Sequence, residues 1–477
     1  MIEGGYSELE LPKPKQYEKL SWVPILAGLY WLTASQGGHW LVFAAVPGSL
    51  LLMSGLALFL MPGNPRITAY MALAAALGIV LSLLAMFSGG FAAGFVAMLG
   101  SMASFLTAGR VGLMREPLYK GAVPPVFSSQ LDLKAALDEF VLGYFVLAGR
   151  LPSGELVQPM VDAVARLEGI FRERGWEEDP RGFHPAPPPP ERTWFEHGRI
   201  FGMDYDVLRF DSGYAPEDAL PGAALWKSHT RNYQCAVRIL RHEGPPRPWI
   251  FCIHGYRMGE AWMDFGLFPP QVLHEKLGLN VIQPVLPLHG PRRIGPKSGD
   301  HFLDWDLLDL VYAEGQTLWD LRRTLAWLRA QEPDARVGVL GYSLGGYNAS
   351  LLAAYEKQLD FVIAGIPVTD FSTALWRFIP TQHREFLESH GLTSKRYRDL
   401  LRVVSPLQVK PLLDKERLLI YAATGDRIVP PWHPLQLGKH WDVPITWYQG
   451  SHLSVRRERE TRQVLKEAML RAGWLVG

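Results

Sequence analysis

Ser343 is the residue best placed to do chemistry, because it stands at the centre of the segment Gly341-Tyr342-Ser343-Leu344-Gly345. The apolar residues just before this segment are typical of a strand, and those just after it are typical of a helix. A serine on such a sharp strand-to-helix turn is held in an exposed, strained position. The glycines are expected because side chains there would collide with neighbouring backbone. The pattern therefore predicts a nucleophilic serine.

A serine hydroxyl is a weak nucleophile until a base takes its proton, and a histidine oriented by a carboxylate is the usual base. Asp426 lies in a loop after a short apolar strand, and His452 lies in the loop after the next such strand. Alternatively, Asp426 could merely cap an Asx turn beside Gly425, and His452 could be a solvated loop imidazole. The chain order of serine, acid and histidine favours a catalytic triad of Ser343, Asp426 and His452.

Backbone N–H groups should stabilise the oxyanion that forms on the substrate carbonyl. Leu344 is predicted to supply one, because it opens the helix that follows the serine. Tyr256 is predicted to supply the second from the loop His254-Gly255-Tyr256, which follows an earlier strand. His254 itself is expected to orient this loop. No metal or organic cofactor is required for this chemistry.

The region from about residue 200 to the end resembles the α/β-hydrolase superfamily. The resemblance rests on the turn at Ser343, the loop TGDRIVP at Asp426, the loop GSH at His452 and the His-Gly pair at 254–255. The longer His-Gly-Gly-Gly form is absent, which weakens the assignment of Tyr256. The resemblance implies that residues of about 370–410 form a helical cap over the active site.

Short apolar runs alternate with helical stretches through the second half of the chain. Strands are expected at 205–210, 233–240, 249–253, 281–286, 336–340, 361–366, 417–423 and 445–448, and helices at 312–329, 344–355 and 455–471. This alternation predicts an α/β fold, with a mostly parallel sheet covered by helices on both faces.

The N-terminal region carries most of the uninterrupted apolar sequence. No Asp, Glu, Lys or Arg occurs from Ser21 to Met61, and further charge-free runs cover 67–87 and 91–108. A bilayer core about 30 Å thick needs about 20 apolar residues in a helix. We therefore expect three or four transmembrane helices within about 21–108. Buried helices of a soluble domain are the less favoured alternative.

Basic residues suggest an orientation for these helices. They cluster before the first run, between the runs and after the last one, at Lys13, Lys15, Lys19, Arg66, Arg110, Arg115 and Lys120. Four spans would place every cluster on the cytoplasmic side, together with the catalytic domain. Residues 20–35 form a short run, however, and an interfacial position for them would leave three spans.

The predicted domain organisation has three parts. Residues 1–120 form the membrane module, 121–190 form a helical segment with a Pro-rich linker, and 191–477 form the catalytic domain. Helices are expected between 130 and 176.

Composition excludes several other classes. A formal net charge of +1 gives no sign of nucleic-acid binding, and two cysteines exclude a disulfide-rich fold. No Cys/His spacing indicates zinc, and the acidic run 300–306 fits no metal-ligand pattern. Arg292 and Arg293 could bind an anionic head group, although a solvated charged loop is the simpler interpretation.

Together these features predict a membrane-anchored serine hydrolase that cleaves a carboxylic ester of a lipid or another hydrophobic substrate. The expected partners are that substrate and the lipid bilayer. A peptidase or amidase of the same fold is the nearest alternative, because ester and amide cleavage share the triad. A catalytically silent membrane scaffold is the alternative from another class.

Overall fold

The computed structural model describes residues 18–34, 39–88, 90–149, 152–303 and 306–475. The chain forms two compact units. The first comprises Met1–Gly149, Ala422–Leu435 and Trp447–Glu458, and the second comprises Arg150–Tyr421, Gln436–Thr446 and Arg459–Gly477. Lys13 and Lys15, on which the predicted orientation partly depends, lie outside the described residues. The domain boundaries expected at 120 and 190 stay predictions.

Five helices build most of the first unit. They are α1 (Glu18–Thr33), α2 (Trp40–Leu60), α3 (Arg66–Ser88), α4 (Phe91–Arg115) and α5 (Ser129–Ala148). Helix α5 packs against both α3 and α4. The contact with α4 is very close, because a Cβ on Gly109 would lie 2.0 Å from the carbonyl oxygen of Asp132.

Three helices of the described part are long and apolar enough to cross a membrane: Trp40–Leu60, Arg66–Phe87 and Phe91–Arg115. Helix α1 has only 16 residues. At 1.5 Å per residue it is about 24 Å long, shorter than a bilayer core of about 30 Å. The choice between three and four spans therefore stays a prediction.

Large apolar side chains cover the outer surface of these three helices. Those left exposed are Leu41, Val42, Val46, Leu50, Met53, Leu56, Phe59, Leu60, Leu77, Val80, Leu83, Leu84, Phe87, Phe91, Phe95, Val96, Leu99 and Met102. Soluble proteins rarely expose an apolar surface of this extent. The surface is what lipid contact would require.

The strands of the chain form a nine-stranded sheet in the order β1-β2-β3-β5-β4-β6-β7-β8-β9. The strands are β1 (Thr193–Ile200), β2 (Met203–Asp211), β3 (Gln234–Leu240), β4 (Trp249–Ile253), β5 (Asn280–Pro284), β6 (Val337–Tyr342), β7 (Phe361–Gly365), β8 (Leu418–Ala423) and β9 (Ile445–Tyr448). Strands β4 to β8 pair in parallel, whereas β1, β2 and β3 are antiparallel to their neighbours. Every residue of β4, β5, β7 and β8 is buried, as expected of strands covered on both faces.

The other helices follow the predicted alternation. They are α6 (Val157–Glu173), α7 (Ala223–Ser228), α8 (Ala261–Leu267), α9 (Leu307–Gln331), α10 (Leu344–Ala353), α11 (Phe371–Trp376), α12 (Thr381–Ser389), α13 (Ser394–Leu400), α14 (Trp432–Trp441) and α15 (Arg459–Arg471). The predicted α/β fold is confirmed, and the insertion between β7 and β8 is helical as expected. Strand β1 was not predicted, because its side chains are mostly exposed and show no apolar alternation.

Candidate active site

Ser343 occupies a strained turn between β6 and α10. Its backbone angles are φ 58° and ψ −113°, in a region that side chains other than glycine rarely adopt. The Ser343 N–H donates to the carbonyl oxygen of Gly365 at 2.9 Å, and its own carbonyl accepts from the Tyr347 N–H at 3.0 Å. These bonds to β7 and α10 hold the strained conformation in place.

The glycines around Ser343 are required by very close backbone packing. A Cβ on Gly341 would lie 1.9 Å from the carbonyl oxygen of Gly345. A Cβ on Gly345 would in turn lie 1.9 Å from the carbonyl oxygen of Ile253, at the end of β4. No side chain fits at either position, so the predicted collision is confirmed.

The loop that begins at His254 lies beside the serine. A Cβ on Gly255 would lie 3.8 Å from the Ser343 Cβ. Leu344 is buried at the start of α10, where helix N–H groups lack intrahelical partners. The loop position fits an oxyanion hole, and the donor roles of Leu344 and Tyr256 stay predictions.

His254 has the orienting role expected of it. Its Nδ1–H donates to the Gly255 carbonyl oxygen at 2.8 Å, and its Nε2 accepts from the Leu286 N–H at 3.1 Å. Burial lowers the pKa of His254, which favours the neutral ring that these two bonds require.

Asp426 and His452 form a buried hydrogen-bonded pair. The His452 Nδ1–H donates to Asp426 Oδ2 at 2.7 Å. Asp426 Oδ1 accepts the N–H groups of Ile428 and Val429 at 3.0 and 2.7 Å. The carboxylate therefore caps a turn with one oxygen and holds the imidazole with the other, so the two interpretations of Asp426 are compatible. His452 is a buried partner of Asp426 and not a solvated imidazole.

Opposing influences set the pKa of His452. Burial alone would lower the pKa, because it disfavours the charged ring. The Asp426 carboxylate, which accepts the Nδ1–H bond, and the nearby Asp138 carboxylate outweigh burial and raise the pKa above its ordinary value. Because Nδ1 carries the bonded proton, Nε2 is the basic nitrogen.

Three acidic residues that were not predicted from the sequence bind the Asp426 and His452 loops. Asp138 accepts backbone bonds from both loops, and Glu139 and Glu116 bind Arg427, the neighbour of Asp426. The available signal was the Asp138-Glu139 pair in a largely apolar helix, where both carboxylates are fully buried.

The interpretation of Arg292 as a head-group ligand or a solvated loop residue was wrong. Its guanidinium is buried, pairs with Asp320 at 2.7 Å and donates to the carbonyl oxygens of Val285 and Asn232. It therefore links the segments just before β3 and just after β5 to α9. Arg293 is partly exposed and pairs with Glu260 at 2.9 Å.

The remaining polar candidates have structural roles. Asp300 pairs with Arg257, and Asp306 caps α9. Residues 304 and 305 of this acidic run lie outside the described residues. Elsewhere in the described part, no cluster of His, Cys, Asp and Glu suited to a metal ion occurs. Cys235 and Cys252 are buried, as expected of small apolar residues in strands.

The structure thus brings Asp426 and His452 together within the first unit, and places Ser343, Leu344 and Tyr256 within the second. The joint action of Ser343 with the other two residues stays a prediction.

The strained serine turn and the α/β sheet define a serine hydrolase of the α/β-hydrolase fold. Consistent with this class, residues 314–454 match the prolyl oligopeptidase family. The match begins in α9 and includes the serine turn, the Asp426 loop and His452.

Two Mycobacterium tuberculosis proteins are similar to most of the chain. The uncharacterized protein Rv2627c (strain ATCC 25618 / H37Rv) is 36% identical over 347 residues, covering 72% of this chain and 83% of that protein. The uncharacterized protein MT2702 (strain CDC 1551 / Oshkosh) gives the same identity and coverage. The chain belongs to the family of these mycobacterial proteins, within the α/β-hydrolase superfamily.

Solved structures with a related fold are more distant in sequence. Acetyl xylan esterase 1 from Thermoanaerobacterium sp. JW/SL YS485 is 15% identical with a TM-score of 0.40, covering 68% of this chain and 96% of that one. Oligopeptidase B from Leishmania major is 14% identical with a TM-score of 0.38, covering 61% of this chain and 42% of that one.

The raised pKa of His452 predicts the acid limb of the pH profile. Only a neutral imidazole can take the serine proton, so activity is lost as the pH falls through the pKa. We expect the acid limb of kcat/KM to have its midpoint above about 6.5, the ordinary histidine value. In Asp426→Asn, turnover should fall by roughly 10⁴-fold. The acid limb of kcat/KM should lie at lower pH, because the carboxylate that raises the pKa of His452 is gone. A wild-type midpoint below 6.5, or an unmoved limb in the variant, would contradict the assignment.

Proposed function

We propose that the protein is a membrane-bound serine hydrolase that cleaves a carboxylic ester through an acyl-enzyme on Ser343. The observation that carries the proposal is the 2.7 Å bond from His452 Nδ1 to Asp426, because it orients a buried base. The strained turn at Ser343 supports the same function, since such turns present nucleophilic serines.

The proposed reaction has two halves. Nε2 of His452 takes the Ser343 proton as Oγ attacks the ester carbonyl, and the backbone N–H groups of Leu344 and Tyr256 bind the oxyanion. The imidazolium then protonates the leaving alcohol. In the second half, water loses a proton to His452, attacks the acyl group and releases the acid. Asp426 stabilises the imidazolium throughout.

Peptide cleavage is the alternative reaction, and the match of residues 314–454 to the prolyl oligopeptidase family favours it. The same triad can cleave an amide when His452 protonates a leaving amine. We favour an ester because the apolar helices α2, α3 and α4 would bring the enzyme to a bilayer, where lipid esters are concentrated.

The membrane proposal is supported by the first unit. Its three long helices expose apolar side chains, and Arg115 at the end of α4 donates to the Asn64 carbonyl oxygen between α2 and α3 at 2.9 Å. This bond places Arg66 and Arg115 at the same end of the helices. By the positive-inside rule that end is cytoplasmic, so we propose a multi-pass protein with a cytoplasmic catalytic domain.

Ser343→Ala should abolish ester hydrolysis and covalent labelling by a fluorophosphonate, because the attacking oxygen is removed. Ser350→Ala is the matched control, because Ser350 lies two turns further along α10. Its hydroxyl donates to the Gly346 carbonyl oxygen of the same helix at 2.7 Å. Both variants should unfold at the wild-type temperature. Equal labelling of Ser343→Ala and wild type would refute the nucleophile, and an unlabelled, folded wild type would favour a silent scaffold.

Long-chain esters in vesicles should be better substrates than short soluble ones. For the full chain in membranes, we expect a higher kcat/KM for a long-acyl glycerol ester than for p-nitrophenyl acetate or a peptide p-nitroanilide. Alkaline carbonate extraction should leave the protein in the membrane pellet. Cleavage of only soluble esters would contradict the lipid proposal. Preferential cleavage of the peptide p-nitroanilide would favour a peptidase. Release of the protein by carbonate would contradict the membrane proposal.

A further inference from the structure

A carboxylate that the reaction does not use lies beneath the Asp426 and His452 loops. Asp138, on α5, is fully buried. Its Oδ2 accepts the N–H groups of His452 at 2.8 Å and Arg427 at 3.1 Å. Its Oδ1 accepts the Ser451 hydroxyl at 2.9 Å and the Leu453 N–H at 3.1 Å.

Every group that contacts this carboxylate is a donor, so the site fits an ionised acid. An ionised carboxylate offers about four lone-pair sites and no proton, whereas an amide would turn two hydrogens toward these donors. Three of the bonds fix the backbone of His452 itself, of Leu453 next to it, and of Arg427 next to Asp426. Asp138 therefore sets the positions of the two loops that form the 2.7 Å His452–Asp426 bond.

The next residue of α5 extends this attachment toward the apolar helices. Glu139 accepts from Arg427 Nε at 2.8 Å and from the Thr68 hydroxyl of α3 at 3.0 Å. Glu116, just after α4, accepts from Arg427 Nη1 at 2.6 Å. The Asp426 loop is thus bonded to α5 and to the segment after α4, and Glu139 links it indirectly to α3.

We propose that Asp138 is a positioning residue of the active site. Through it, helix α5 of the first unit holds the Asp426 loop and the His452 loop in the positions that allow their hydrogen bond. The inference rests on the proposed function and deepens it. Through this one residue, α5 then positions the acid and base loops. Asp138 lies far outside the 314–454 segment that matches the prolyl oligopeptidase family.

Charge gives Asp138 a second effect, which supplies a diagnostic measurement. The charged groups that face it are His452, Asp426 and, through the backbone, Arg427. Burial, followed by the Asp426 charge, raises the pKa of Asp138 to about 7, so the carboxylate carries its full charge only at a pH above that value. The Asp138 charge in turn raises the pKa of His452. Removing it should shift the acid limb of kcat/KM to lower pH, whereas loss of a buried carboxylate that does not contact the two loops should leave the limb in place.

The test compares two Asp→Asn variants of the same helix in the full-length protein. Asp138→Asn removes the contacts to the loops. Asp132→Asn is the matched control, because Asp132 is also buried but pairs with Arg110 of α4 at 2.7 Å. We expect Asp138→Asn to lower kcat and the rate of fluorophosphonate labelling by roughly 10²-fold, the cost of a misplacement of about 1 Å. In Asp138→Asn, KM should change by less than about twofold, and the acid limb of the pH profile of kcat/KM should lie at lower pH. Asp132→Asn should keep the wild-type kcat and the wild-type acid limb.

The outcomes separate this inference from the proposed function. If the wild type is labelled by the fluorophosphonate but Asp138→Asn keeps the wild-type kcat and acid limb, the inference alone is overturned. An unlabelled wild type would overturn the proposed function and the inference with it. If Asp138→Asn does not fold, Ser451→Ala replaces it, since it removes one donor and keeps the charge. That variant should lower kcat several-fold at an unchanged unfolding temperature, and an unchanged kcat would overturn the inference.

Discussion

The hydrogen bond between His452 and Asp426 joins two loops, and the proposed chemistry depends on it. A carboxylate only accepts, so this bond assigns the proton to Nδ1 and the basic lone pair to Nε2. The bond exists because β8 and β9 end side by side. Pairing continues past the strands, where the Thr424 N–H donates to Tyr448 and the Gly425 N–H donates to Gly450, at 3.0 and 2.9 Å. Sheet register therefore determines the geometry of the acid and the base.

Helix α5 of the first unit contributes directly to this arrangement. Besides the backbone pairing of the two loops, Asp138 and Glu139 supply buried acceptors from α5. Buried carboxylates are costly unless all their contacts are satisfied, so α5 and the two loops stabilise each other. A consequence is that a chain beginning after α5 would lack the buried acceptors that hold the acid and base loops. Any change in the packing of α3 or α4 could reach the loops through Thr68 and Glu116.

What the sequence could predict depended on how local each feature is. The serine turn is encoded within five residues, and strands such as β4 and β9 are short apolar runs, so both were found at their observed positions. The acidic pair Asp138-Glu139 in an apolar helix was a signal of burial, but its partner could not be predicted, because His452 lies 314 residues from Asp138 and leaves no spacing pattern. Arg292 was misread for the same reason, since its partner Asp320 lies on a different element. A charged residue in a predicted loop is exposed only if no oppositely charged residue from another element pairs with it in the interior.

An experimental structure of the full chain with a phosphonate inhibitor would test the central claim most directly, namely that Ser343, His452 and Asp426 act together. We expect a covalent bond from phosphorus to Ser343 Oγ, with His452 Nε2 within about 2.6–3.2 Å of a phosphonate or leaving-group oxygen. We also expect Nδ1 to stay bonded to Asp426. Phosphorus on another residue, or an imidazole turned away from the adduct, would show that the three residues do not act together.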